Sequence, residues 1–497
     1  MKKKTISLFL CIVLLVSTVF SGCGNSEEKK EPSKKNEDGT YSEFISIDVF
    51  DALANYEGVQ SGWFQKVVKD KFNMELNIIA PNVSGGGDTL FQTRSAAGNL
   101  GDLIISGTDN GRFKNMADAG LLADMTELLK DKDVLKNYKD AIDKTNKLAG
   151  KSGIWGIPSE ISVQSPEVSS EGIEPMVAPY VRWDSYKAAG YPESTTQNYD
   201  ILSNKYRDGQ VLTSLWGFQG QSVYNTTEHK KKGVGFMPMF IEDSAPYSSG
   251  CYSEGNGKTI IAIGSQAKDP ERLADFIDWL YSPEGMETSG QAGGAAGPKG
   301  LTWEMEGDQA VITEFGEKAL PNNDVQVPDE WGGGSWKDGV SALNFKALCL
   351  ADIDTNNNEP YMQTMWSSVL AKNTTKLDKD WQNYAGGAQT TIGFLDEKNA
   401  LSVAPGTSFV APEESSDITT LRNQCKAVIV DSSWKMVFAK DEAEFNSLLK
   451  EMQDTVKGLG YKDVLKVDMK NAQDEANARI QVVKDYNEKH PNSDKDE

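Results

Sequence analysis

Eleven tryptophans are the side chains with the most readable chemistry in this chain. Several stand beside amides and carboxylates. Trp63 follows Asn55, Tyr56, Glu57 and Gln60. Trp155 and Glu160 flank a short extended run, and Trp216 precedes Phe218 and Gln219. Trp331 and Trp336 bracket Gly332-Gly333-Gly334. A flat ring stacks on an apolar face, while amides and carboxylates bond hydroxyl edges. That combination suits a polyhydroxylated ring such as a sugar. Trp63, Trp216, Trp331 and Trp336 are therefore candidate platforms, with Glu57 and Asp109 as polar partners. Any single tryptophan is as readily a core residue. Trp279 shares a helical face with Leu273, Phe276, Ile277 and Leu280 and is expected in the core.

Other chemistries find less material. The two histidines, His229 and His490, lie in charged or polar surroundings without the neighbours of a nucleophilic triad or a zinc site. Cys251, Cys349 and Cys425 form neither a disulfide framework nor a metal-ligand spacing. At most one bridge joins them, and the sequence does not choose it. Asp352, Asp354, Asn356, Asn358 and Glu359 alternate oxygen ligands as a calcium loop does. Asn357 stands where that loop needs Gly, and Gln363 where it needs Glu, so a polar turn is expected. Gly85-Gly86-Gly87-Asp88 lacks the Lys-Ser/Thr of a nucleotide loop and reads as a flexible rim. No metal and no cofactor is expected. A glycoside hydrolase needs two opposed carboxylates. The 73 acidic residues neither mark nor exclude such a pair.

The elements that must position these side chains alternate between strand and helix. Phe44–Phe50, Met74–Ala80 and Asp102–Ser106 read as strands. Helices are expected after Ser61 and from Asp88 to about Ala97. This βαβαβ order predicts a parallel sheet, with ligands beyond the C-terminal ends of the strands. Those ends are Asp51–Gln60, Pro81–Gly87 and Gly107–Asn110. Ile154–Pro158 is a short extended run with a proline that suits a crossing segment. Pro179–Trp183, Gln210–Phe218, Gly233–Met239 and Thr259–Gly264 are further strands. Asp269-Pro270-Glu271 and Ser282-Pro283-Glu284 open helices with a cap, a proline and a first-turn acid. The C-terminal third is mostly helical.

The N-terminus has its own pattern. Lys2, Lys3 and Lys4 precede an apolar run, Ile6–Phe20, that ends at Ser21-Gly22-Cys23. This is the layout of an export signal, too short to span a bilayer. Gly24–Thr40 has no apolar residue and reads as a flexible tether. The formal net charge is −22, and loss of the three lysines makes it more acidic still. That balance argues against nucleic acid as a partner.

The Phe20–Cys23 pattern resembles the lipobox of bacterial lipoproteins, in which the cysteine is acylated. Further on, Gly98–Ile104, Gly150–Pro158, Tyr180–Tyr186 and Ile263–Glu271 resemble, in their order, the family-1 (carbohydrate) extracellular solute-binding proteins of bacterial ABC importers. The resemblance runs from the signal to about Leu459. It implies an α/β, two-lobe periplasmic-binding-protein-like (type II) fold with the ligand between the lobes. It also implies a non-enzymatic carrier on the outer face of a Gram-positive cell membrane, lipid-anchored through Cys23 and monomeric. Such a carrier passes a carbohydrate to permease subunits.

The segments expected are a signal at 1–23, a tether at 24–42 and lobe I at 43–155. Lobe II follows at 156–257, with a return to lobe I at 258–320. Residues 321–497 are expected mainly in lobe II. After Tyr191-Pro192-Glu193 the family carries a further long piece of lobe II. Here the chain passes to Thr195–Asp200 and Gly209–Leu212, which implies an abbreviated lobe near 193–197. A peptide or other non-sugar solute, and a surface hydrolase or lyase, are the alternative readings.

Replacing Cys23 by alanine is expected to release the protein to the medium or leave it uncut. Membrane fractionation with mass spectrometry of residue 23 checks this; an unlipidated wild-type cysteine contradicts it.

Overall fold

The computed structural model describes residues 35–37, 39–83, 87–188, 209, 212–216, 221, 224–241, 245–290, 294–321 and 324–491. The signal, most of the tether and the stretch near 193–197 lie outside these residues. Two sheets organise the rest. The first has six strands in the order β2-β3-β1-β4-β10-β5. Its members are β1 (Ile45–Asp51), β2 (Gly58–Val59), β3 (Met74–Ile79), β4 (Leu103–Gly107), β5 (Ile157–Ser159) and β10 (Asn256–Ile263). β1 runs parallel to β3, with Val49 opposite Ile78, and parallel to β4, with Phe50 opposite Ile104. β10 enters antiparallel, Ile261 opposite Ile105. The three predicted N-terminal strands thus form the parallel centre of lobe I.

Side-chain alternation explains why this sheet is buried on both faces. Ile47, Val49, Leu76, Ile78, Leu103, Ile105, Ile261 and Ile263 point to one side. There they meet α1 (Gly62–Phe72) and, further along the chain, the helix Pro270–Leu280. Phe50, Ile79, Ile104, Ile260 and Ala262 point to the other. They are covered by α2 (Gly87–Ala96) and α3 (Arg112–Asp118), through Leu90, Phe91, Phe113 and Met116. A fourth helix, α4 (Asp133–Asn146), completes the first side with Ala141 and Ile142. The Pro270–Leu280 helix, α5, starts as its sequence predicts: the Asp269 carboxylate accepts the Arg272 N–H at 3.1 Å. Trp279 lies in its buried stripe, with ring centroids 5.6 Å from Phe72 and 5.8 Å from Phe276.

The second sheet is smaller. β6 (Val177–Arg182) pairs antiparallel with β7 (Thr213–Trp216), β8 (Phe236–Pro238) and β9 (Tyr247–Ser249). Two short hairpins, β11–β12 (Trp303–Glu306 with Gln309–Ile312) and β13–β14 (Ile353–Asp354 with Glu359–Pro360), precede the last strand. β15 (Ser402–Ala404) then joins β9 in parallel. The core of this lobe is Val181, Trp183, Met239, Leu377, Trp381, Phe394 and Leu395, contributed in part by α6 (Lys376–Tyr384) and α7 (Thr391–Glu397).

The chain passes between the sheets in several segments. The first leads from β5 towards β6, the second from β9 to β10, and a third carries residues 344–352 alongside them. Glu160 N–H donates to Lys346 O at 2.8 Å, and Ser162 N–H to Tyr252 O at 3.0 Å. Two carboxylates fasten the third segment. Asp51, fully buried, accepts N–H groups from Leu53 (3.0 Å) and Asn344 (2.8 Å). Asp352 accepts the Ser162 hydroxyl at 2.6 Å. Burial pushes both carboxyls up to about 6, against the hydrogen bonds that favour their charged forms.

Residues 324–343 pack on the core of the first sheet, to which Val327, Trp336 and Leu343 belong. The chain ends in three helices, α8 (Ser416–Val437), α9 (Glu442–Leu459) and α10 (Tyr461–Lys489). Arg422 of α8 bridges Glu414 and Asp468, and Tyr486 of α10 donates to Val163 O at 3.2 Å on the first crossing segment. No helix among the described residues is long and apolar enough to cross a membrane.

Two outcomes follow from this packing. Trp279→Ala is expected to lower unfolding stability by about 3–5 kcal/mol through the cavity it leaves, measured by chemical denaturation; an unchanged midpoint contradicts the core assignment. The second concerns Asp51. Its folded carboxyl titrates near 6 and its unfolded one near 3.8. The folded chain therefore holds the proton more tightly. The stability this adds is complete below 3.8 and lost as pH rises through 6, at no more than about 1.4 kcal/mol per pH unit. Asp51→Asn is expected to flatten the stability profile over that window. Urea unfolding at pH 4, 5, 6 and 7 measures it, and parallel profiles for variant and wild type rule the assignment out.

Candidate functional site

Parallel strands end on one side of a sheet, and the loops that leave them open a depression there. β1, β3 and β4 do this. Beyond them lies a cleft of about 380 Å³. Ala52 and Leu53 follow β1, Pro81 and Asn82 follow β3, and Gly107 and Asp109 close β4. Asp88 and Phe91 come from the start of α2, and Arg112 from the start of α3. This is the edge that the strand order predicts.

Its walls are one aromatic unit and a set of polar groups. The Arg112 guanidinium lies 4.6 Å over the Phe91 ring, which itself stands 6.1 Å from Phe50. Arg112 also reaches the Asp88 carboxylate at 3.2 Å, which helps hold the guanidinium over the ring. The Arg112 N–H donates to Asp109 O at 3.0 Å, which turns the β4 loop into α3. Asn82 donates to Ala52 O at 2.8 Å and ties the first two loops together. Gly111 has φ +69, and a side chain there would meet the Glu413 carboxylate at 2.9 Å. The glycine lets the chain after β15 approach this edge. The result is a shallow site with a flat cationic–aromatic surface, two carboxylates and an amide.

The candidates from sequence distribute unevenly. Asp109 lines the cleft. Glu57 is exposed in the loop after β1 and does not line it. Trp63 and Trp336, expected as platforms, are core residues. Their rings stack on each other, 4.4 Å apart and 6° from parallel, and the Trp63 indole N–H donates to Trp336 O at 3.1 Å. Gly339 allows this, because a Cβ there would sit 2.6 Å from Trp63 Cδ1. Burying two large rings against each other outweighs keeping either in solvent. Trp331 sits in the glycine-rich loop, packed on the outside of the lobe I core near Gly300, and does not line the cleft. The Trp216 backbone pairs with Val177 at the end of β7; its side chain lies outside the described residues, as does Cys23. Phe91 and Arg112 were missed in the sequence. Both stand at a predicted strand end or helix start, so the loop positions carried a signal that the residue types did not.

Lobe II has its own depression, about 480 Å³, between β8, α6 and the 173–174 segment. Glu174, Gln221, Asn225, Gln382 and Gln389 line it beside Trp381. Burial pushes the Glu174 carboxyl up to about 7, despite a hydrogen bond from Gln221. The 352–359 stretch is the expected polar turn. It forms the β13–β14 hairpin, with Asp354 accepting the Asn356 N–H at 2.7 Å and Asn357 the Glu359 N–H at 2.8 Å. Among the described residues no group of three or more His, Cys, Asp or Glu is placed to hold a metal ion.

Residues 57–158 match the family described as bacterial extracellular solute-binding protein. No curated protein matches the chain. Among solved structures, the chain is similar to an alginate-binding protein solved without calcium ion. The two share 13% identity over 89% of this chain and 97% of that one, with a TM-score of 0.44. It is also similar to an HMO-binding, ABC-transporter-associated solute-binding protein from Bifidobacterium longum infantis (10%, 86% and 98%, 0.42). A third is an S. pneumoniae ABC-transporter substrate-binding protein in complex with kestose (13%, 87% and 100%, 0.42). The matched family is one of binding proteins, not of enzymes. Over 57–158, the stretch that carries β3, β4 and most of the cleft's lining, this chain is similar to the bacterial extracellular solute-binding proteins.

Proposed function

We propose that this protein captures a carbohydrate, an oligosaccharide, outside the cell and delivers it to the permease of an ABC importer, held at the membrane by lipid on Cys23. One observation carries the reading. The segment that matches the solute-binding family is the same segment that supplies most of the strand-end cleft, and the cleft offers a flat Phe91–Arg112 surface ringed by Asp88, Asp109 and Asn82. A sugar face lies on such a surface, and its hydroxyls bond the carboxylates, the amide and the guanidinium. The ligand contacts proposed are Phe91, Arg112 and Asp109 in lobe I, with Trp216 and Glu57 as outer candidates from the sequence.

Capture requires the ligand to favour one arrangement of the lobes. A solute that touches lobe I alone has no differential affinity and shifts nothing. The polar depression beside Glu174 and Trp381 is the matching surface proposed in lobe II.

The test is a thermal-shift screen of oligosaccharides, peptides and polyamines, followed by fluorescence titration. An oligosaccharide is expected to raise the melting temperature in a saturable way. Arg112→Ala and Phe91→Ala are each expected to weaken it by about 1.4 kcal/mol, tenfold in Kd; Arg112→Ala is expected to keep wild-type melting without ligand, whereas Phe91→Ala also lowers it, because its ring covers Phe50. Saturable binding of peptides alone, or release of shorter sugars on incubation, would sink the proposal.

A further inference from the structure

Cys251 and Cys349 are distant in sequence and stand on different crossing segments. Cys251 follows β9 by two residues, and its N–H donates to Val168 O at 2.8 Å. Cys349 lies on the third segment, and its N–H donates to Ile161 O at 3.1 Å. Both side chains are buried, and with Ala351 they form a small cluster of their own. Their Sγ atoms are 3.8 Å apart. Bonded sulfurs lie about 2.0 Å apart, so closing the gap takes less than about 2 Å, shared between two side chains. Cys425 sits elsewhere, on α8 against Val456 O of α9.

We propose that Cys251 and Cys349 form a disulfide that staples the second crossing segment to the third. Each thiol gives up its proton, and one Sγ–Sγ bond forms. The two electrons pass to a disulfide-bearing oxidant, such as oxidised glutathione or a thiol–disulfide oxidoreductase, whose own S–S bond breaks into two thiols. An exported chain meets such oxidants; a cytosolic one is kept reduced. The contact with Cys251 and burial push the Cys349 thiol well up, which leaves little thiolate once the lobes have packed. The bond therefore forms while the chain folds, and the packed interior then shields it. It closes a loop of roughly 100 residues, and a cross-link constrains the unfolded chain more as the loop lengthens. It also makes the two segments move as one when the lobes move, because neither can slide past the other.

The experiment refolds the full chain from denaturant in a glutathione buffer with the oxidised form in excess, so the result does not depend on ligand or on cellular location. Remaining thiols are alkylated, the protein is digested without reductant, and peptides are identified by mass. The expected product joins the Cys251 peptide to the Cys349 peptide, with Cys425 alkylated. Alkylation of both Cys251 and Cys349, or linkage of either to Cys425, overturns the proposal. A melt of the oxidised wild type is expected to exceed that of the reduced protein by at least about 2 °C. The Cys251→Ala/Cys349→Ala variant is expected to ignore the reductant. Equal melting of oxidised and reduced wild type overturns the stapling role.

Discussion

Glu160 is the residue on which the junction of the two lobes depends. Its backbone stands at φ +50, a left-handed conformation that a side chain makes costly by about 1–2 kcal/mol. Its carboxylate explains why the conformation is kept. It accepts from Asn256 Nδ2 at 3.0 Å and from Lys346 Nζ at 2.7 Å, and its own N–H donates to Lys346 O. One residue thereby holds the first crossing segment to the other two. Burial alone would raise this carboxyl, but the charge and hydrogen bond of Lys346 hold it below the ordinary carboxylate range. The carboxylate stays ionised, and the three segments stay in register.

Everything on either side is arranged around that junction. Asp51 ties the end of β1 to Asn344, and Asp352 ties the third segment to Ser162. The crossing chains are therefore anchored by carboxylates as well as by apolar packing, since Ile161, Leu348 and Leu350 are buried in the lobe I core. The strand-end cleft adjoins this junction, because β1 leads straight into it through Leu53 and Asp51.

The acidic balance of the chain gains meaning at the cleft. Among the described residues, the guanidinium that lines it is Arg112. It lies over the Phe91 ring and pairs with the Asp88 carboxylate. For the carbohydrate proposed above, the cleft offers hydrogen-bonding edges and an aromatic face rather than a net positive field.

Local periodicity was enough for much of this architecture. The alternation in Ile45–Asp51, Met74–Ile79 and Leu103–Gly107 determined two-faced strands, and their order with helices determined the parallel pairing of β1 with β3 and β4. Asp269-Pro270-Glu271 and Ser282-Pro283-Glu284 determined two helix starts, both capped as written. These features rest on neighbours within four residues, which a sequence displays directly. The fate of the tryptophans did not. Trp63 and Trp336 are 273 positions apart, and only the folded chain lays one ring on the other and puts a glycine beside them. The same holds for Phe91 under Arg112, for Cys251 beside Cys349, and for the packing of residues 324–343 on the core of the first sheet. Residue type shows that a ring prefers burial or stacking, but its partner is decided by chain crossings hundreds of residues long, and only the tertiary structure fixes those.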